Sequence, residues 1–87
     1  MDEEALKRFQ ETLDENYVWP CVYVFKFIVP SQQLGKVVAL FEGKPFRTRD
    51  SSGKKYVSVT VELDVRTSAE VISIYREAAK IEGIISL

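Results

Sequence analysis

Between Tyr56 and Val65 the chain alternates strictly. Val57, Val59, Val61, Leu63 and Val65 are aliphatic, and Tyr56, Ser58, Thr60, Glu62 and Asp64 are not. A period of two with one aliphatic face predicts a long strand in a sheet covered on one side only. Cys21 to Val29 predicts a second strand, with Tyr23, Phe25, Phe27 and Val29 on one side and Val22, Val24, Lys26 and Ile28 on the other. Both sides are fairly apolar, so this strand belongs in the centre of the sheet. Lys26 marks its less buried face, because an unpaired lysine is rarely buried.

Outside the strands the period changes. Leu6, Phe9 and Leu13 recur at helical spacing and predict a helix over residues 3–15, followed by a linker from Asn16 to Pro20. Pro30 and Ser31 open a helix with Ser31 as its N-cap and Leu34, Val37, Val38 and Phe41 as its buried stripe. Gly43 is placed to end it in a left-handed conformation. Phe46 to Asp50 predicts a short, polar edge strand, and Asp50-Ser51-Ser52-Gly53 a turn in which Gly53 can take positive φ. Thr67 and Glu70 have the spacing of a capping box ahead of a helix whose inner face is Val71, Ile72, Tyr75, Ala78 and Ala79. Gly83 breaks that helix, and Ile84, Ile85 and Leu87 form a last strand.

This order predicts an α+β fold, a ferredoxin-like βαββαβ sandwich. Its four-stranded antiparallel sheet should run in the order 4-1-3-2, with two helices on one face. Residues 1–18 then form an N-terminal amphipathic helix and linker, and 19–87 the ferredoxin-like (ACT-like) domain.

Charge and composition narrow the function classes. The chain has 87 residues and a formal net charge of -1. A dedicated nucleic-acid binder usually shows a strongly basic balance, so no nucleic-acid partner is expected. No run of eighteen apolar residues exists and the N-terminus is acidic rather than basic and then apolar, so a cytoplasmic protein with no membrane partner is expected. With no histidine and Cys21 as the one cysteine, the usual zinc sites cannot be assembled, and no cofactor or metal is expected. Cys21 reads as a small residue at a strand start, since Trp19, Pro20 and Val22 supply no positive charge to activate a thiol.

Two constellations stand out as candidate sites. The face opposite the helices carries Val24, Lys26, Ile28, Tyr56, Ser58, Thr60 and Glu62. This mixed apolar and polar surface suits an association partner, because clustered exposed apolar groups usually have a role. Second, Arg47, Arg49, Lys54 and Lys55, with Lys44 and opposed only by Asp50, give one hairpin a charge of +4, while residues 1–16 carry -4. The hairpin can contact an anion or an acidic partner, and its charges also protect an edge strand. RNA recognition needs two or three stacking aromatics on the open face, where Tyr56 stands alone. Glu62 and Asp64 share a strand face about 7 Å apart, but a flat sheet offers no walled pocket for acid–base catalysis.

These residues resemble a known family. Trp19-Pro20 ahead of a strand with Lys26, the run Ser52-Gly53-Lys54-Lys55-Tyr56-Val57-Ser58-Val59-Thr60, Ser68-Ala69-Glu70 opening a helix with Ile74-Tyr75, and the closing Ile84-Ile85-Ser86-Leu87 are similar to the YbeD-like family of small bacterial proteins. That family is a domain of unknown function with an ACT-like, ferredoxin-type fold, and it has no established enzymatic activity to transfer. The resemblance implies a non-enzymatic regulatory or adaptor domain acting through association with a protein partner or as a homodimer. The alternative is an ACT-like small-ligand sensor that binds a small acid or amino acid at a dimer interface near Pro30–Gln33. Ligand-binding ACT domains commonly place a glycine-containing loop after the first strand, where this chain has Val29-Pro30, and this ranks the sensor second.

Overall fold

A computed structural model describes residues 2–51 and 53–87. The strands are β1 (Cys21–Pro30), β2 (Phe46–Asp50), β3 (Tyr56–Val65) and β4 (Ile85–Ser86), and the helices are α1 (Glu3–Asn16), α2 (Leu34–Leu40) and α3 (Ser68–Ala78). A 3-10 turn, Ser31–Gln33, leads into α2. The sheet runs β2-β3-β1-β4 with antiparallel neighbours. This is the expected 4-1-3-2 arrangement read from its other edge, and it puts the two long strands together in the centre. Their register runs from Cys21 opposite Val65 to Pro30 opposite Tyr56.

The alternation seen in the sequence becomes the division between core and surface. Phe25, Phe27 and Val29 on β1, and Val57, Val59, Val61 and Val65 on β3, are buried with Val37, Phe41, Val71, Ile72, Tyr75, Ala78 and Ile81 from the helix side. Burial of this apolar area supplies most of the driving force for folding. α1 docks on the helix layer, against α3. Leu6 and Leu13 join the core, the Phe9 ring meets Tyr75 edge-on at 5.4 Å, and Gln10 Nε2 donates to Ser68 Oγ at 3.3 Å. The other face of the sheet is left to the surface.

The ends of the helices show how local chemistry sets their limits. Asp2 caps α1 by accepting from the Ala5 amide at 2.6 Å, and Thr67 caps α3 by accepting from the Glu70 amide at 3.3 Å. Glu70 completes a variant of the capping box, since its carboxylate accepts from the Arg66 amide rather than from that of Thr67. Gly43, just past α2, takes the expected left-handed conformation with φ of +78°, and Gly83 takes the same φ but does not break α3, which already ends at Ala78.

Four details differ from expectation. Ser31 caps no helix, because its hydroxyl donates to the Lys54 carbonyl at 2.7 Å and ties the end of β1 to the β2–β3 turn. In that turn it is Lys54 that takes positive φ (55°), and Ser52 of the expected turn lies outside the described residues. Ala79 is exposed, because α3 ends at Ala78 and the chain turns toward Ile81. The last strand is only Ile85–Ser86, paired with Phe27 and Ile28.

Candidate functional site

The open sheet face is assembled row by row from the register. Ser58 lies between Arg49 and Ile28, and Ile85 continues that row on β4. Thr60 lies between Arg47 and Lys26, and the Leu87 amide donates to the Lys26 carbonyl at 2.9 Å on the far side. Glu62 stands opposite Val24, Asp64 opposite Val22, and Tyr56 opposite Pro30. The seven expected face residues are therefore together on one surface. Arg47 and Arg49 join them from β2. Lys54 and Lys55 do not, because they sit in the turn beyond the strand ends.

The face is divided by chemistry. Along β1 and β4 it is mainly apolar, with Val22, Val24, Ile28 and Ile85 interrupted by Lys26 between Val24 and Ile28, and Val22, Val24 and Ile85 rank among the exposed large hydrophobics. Along β3 and β2 it is polar and charged. Arg47 Nη2 meets Glu62 Oε1 at 3.3 Å, an exposed pair that adds little stability. Lys26 and Arg49 make no ion pair among the described residues. Alternation in the sequence already puts Val22 on this side of β1, though not among the candidate site residues, whereas Ile85 and Leu87 reach the face only through the pairing of β4.

Three shallow hollows border the face. One of about 110 Å³ lies among Pro45, Phe46, Arg47, Thr60 and Glu62. Another, of about 230 Å³, is formed by Ile28, Arg49, Asp50, Ser51, Tyr56 and Ser58. Around the corner, Pro30, Ser31 and Gln32 face Lys54, Lys55 and Tyr56 across a groove of about 430 Å³. Two backbone-directed bonds hold this groove together: Ser31 Oγ to the Lys54 carbonyl at 2.7 Å, and the Ser31 amide to the Lys55 carbonyl at 2.9 Å. The groove therefore pairs two lysines with the residues that follow β1.

Glu62 and Asp64 border a further hollow of about 530 Å³ with Glu70 and Ile74, where Glu62 is already engaged by Arg47. Among the described residues no group of three or more histidine, cysteine, aspartate or glutamate side chains could hold a metal ion. Among the described residues no helix is long and apolar enough to cross a membrane. Cys21 is a free thiol, partly buried at the start of β1.

A family model described as a protein of unknown function (DUF493) matches residues 14–87. No curated protein matches the chain. Among solved structures, the solution structure of protein HP0495 from H. pylori is similar, with a TM-score of 0.61 and 18% identity over 83% of this chain and 86% of that one. At this identity the likeness shows the fold alone.

Proposed function

Since the chain belongs to the DUF493 (YbeD-like) family of unknown function, we propose from the geometry of its surface that it is a non-enzymatic adaptor or regulatory domain. It acts by protein association through the open sheet face. The observation that supports this is an apolar strip of exposed Val22, Val24 and Ile85 with partly buried Ile28, in which Lys26 stands and beside which Arg49 lies, neither of them ion-paired among the described residues. Apolar area supplies affinity in such an interface, and charges set orientation and partner choice.

The test is a photo-cross-linking residue at Ile28, with one at Ser73 on the helix side as control, used in the native cell. A protein captured from Ile28 alone should then bind the purified domain, and Ile28→Asp should weaken that binding at least about tenfold. Equal capture from both positions, or unaltered binding by Ile28→Asp, defeats the reading. So does turnover of a substrate that a single substitution abolishes.

A second reading is favoured by the groove between Pro30–Gln32 and Lys54–Tyr56. Its two lysines could hold the carboxylate of a small acid or amino acid, as a ligand sensor requires. A rise in melting temperature of several degrees with such an acid, lost in Lys55→Ala, would support this reading over the first.

A further inference from the structure

β1 is ten residues long, and β4 covers only part of its outer edge. The phase of the ladder decides what the uncovered part presents. The Ser31 amide donates to the Lys55 carbonyl, so odd-numbered residues of β1 exchange backbone bonds with β3. Even-numbered residues turn their N–H and C=O groups the other way, as Lys26 does in accepting from Leu87. Val22 and Val24 therefore aim their backbone groups past the end of β4, where no described residue bonds them.

The two edges of the sheet are built differently. β2 presents Phe46-Arg47-Thr48-Arg49-Asp50, all exposed, with charges that discourage further pairing. The uncovered part of β1 is Cys21-Val22-Tyr23-Val24-Phe25, which carries no charge. Pro20, without an N–H, bounds it at one end. Lys26, whose carbonyl is taken by Leu87, bounds it at the other. Its centre is Tyr23.

We propose that this edge pairs with the same edge of a second copy of the chain, antiparallel, about a two-fold axis passing at Tyr23. Val22 of each copy then faces Val24 of the other, and each such pair exchanges backbone bonds in both directions. A segment of this length, bounded at both ends and uncharged, matches itself under a two-fold operation, which is the requirement for a closed dimer. The surrounding surface fits the same occupant. Of the eight exposed large hydrophobics among the described residues, Tyr17, Val18, Val22, Val24, Ile85 and Leu87 lie on or beside this edge. Pairing joins the two sheets side by side and extends the open face without covering it, so the dimer stands or falls independently of the function proposed above.

The experiment is sedimentation equilibrium of the full chain from about 1 µM to about 1 mM. The apparent mass should rise from the 10.0 kDa of one chain toward twice that value. Val24→Pro removes an N–H that the β1–β3 ladder does not use, a position where a strand tolerates proline. Val22→Lys sets a charge against the partner's edge and decides the matter if the proline variant fails to fold. Both should stay at the mass of one chain at every concentration. In wild type alone, exchange of the Val22 and Val24 amides should slow as concentration rises. A wild-type chain that stays monomeric throughout, or a dimer that survives Val22→Lys, overturns the proposal.

Discussion

The Tyr23 hydroxyl on β1 lies 3.4 Å from the Tyr75 hydroxyl on α3, and both rings are buried. The two groups satisfy one another across the boundary between sheet and helices. Among the described residues no buried side-chain polar atom lacks a hydrogen-bond partner. Burial, with the Tyr23 hydroxyl adding to it, pushes the Tyr75 phenol well above its ordinary range.

That shift predicts alkaline sensitivity. The folded chain keeps the Tyr75 proton at a pH where the unfolded chain loses it. The associated stability is complete below the ordinary phenol value of about 10 and is lost progressively above it. Tyr75→Phe should flatten the fall in urea midpoint between about pH 9 and about pH 11. At neutral pH it should cost about 1 kcal/mol, because Tyr23 loses its partner. An unchanged alkaline slope would show that other groups cause the fall.

α1 should contribute through its apolar stripe and hardly at all through its charges. Leu6 and Leu13 are 2% and 3% exposed, whereas the Arg76–Glu3 ion pair has side chains 52% and 73% exposed. Leu6→Ala and Leu13→Ala should each cost about 2–4 kcal/mol in urea unfolding. Glu3→Gln should cost less than about 1 kcal/mol. Deleting residues 1–15 should lower the midpoint while residues 19–87 keep their strand signal in far-ultraviolet circular dichroism. Complete loss of cooperative unfolding would show that the helix cannot be separated from the domain.

What was legible in the sequence was whatever depends on periodicity. The alternation in β1 and β3 specified their faces and their central place, and helical spacing located Leu6, Leu13, Val71 and Tyr75. What was not legible depends on contacts between distant residues. Ser31 looks like a helix cap until its hydroxyl finds the Lys54 carbonyl. Ala79 has the right spacing for the core, but α3 ends before it. Arg47 and Arg49 could be assigned to the open face only through the register with Thr60 and Ser58. The split between these arginines and Lys54–Lys55 follows from the turn, which carries the lysines beyond the strand ends to the groove at Pro30.

The two faces of the sheet should answer a charge in opposite ways. Val59 is 1% exposed, so Val59→Asp buries an unpaired carboxylate and should unfold the domain. Ile28 lies on the open face beside Ser58 and Ile85 and is only partly buried. Ile28→Asp should cost less than about 2 kcal/mol and leave the circular dichroism spectrum unchanged. Unfolding as severe as that of Val59→Asp would mean that this face is covered within the chain.

Gly83 should resist substitution for two separable reasons. Its φ of +78° is one that L side chains rarely adopt, and a Cβ at this position would stand 2.8 Å from Pro30 Cγ. The first effect costs about 1 kcal/mol by itself, and the second forces the end of β1 away from the segment that leads into β4. Gly83→Ala should therefore lower stability by about 2–3 kcal/mol in urea unfolding. Pro30→Ala removes the atoms that the new methyl group would meet, and its own missing N–H cost the β1–β3 ladder nothing, since even-numbered residues of β1 face away from β3. In the Pro30→Ala background, Gly83→Ala should cost only the conformational part, about 1 kcal/mol. A double-mutant cycle with no coupling between the two substitutions would assign the whole effect to the backbone and none to the contact.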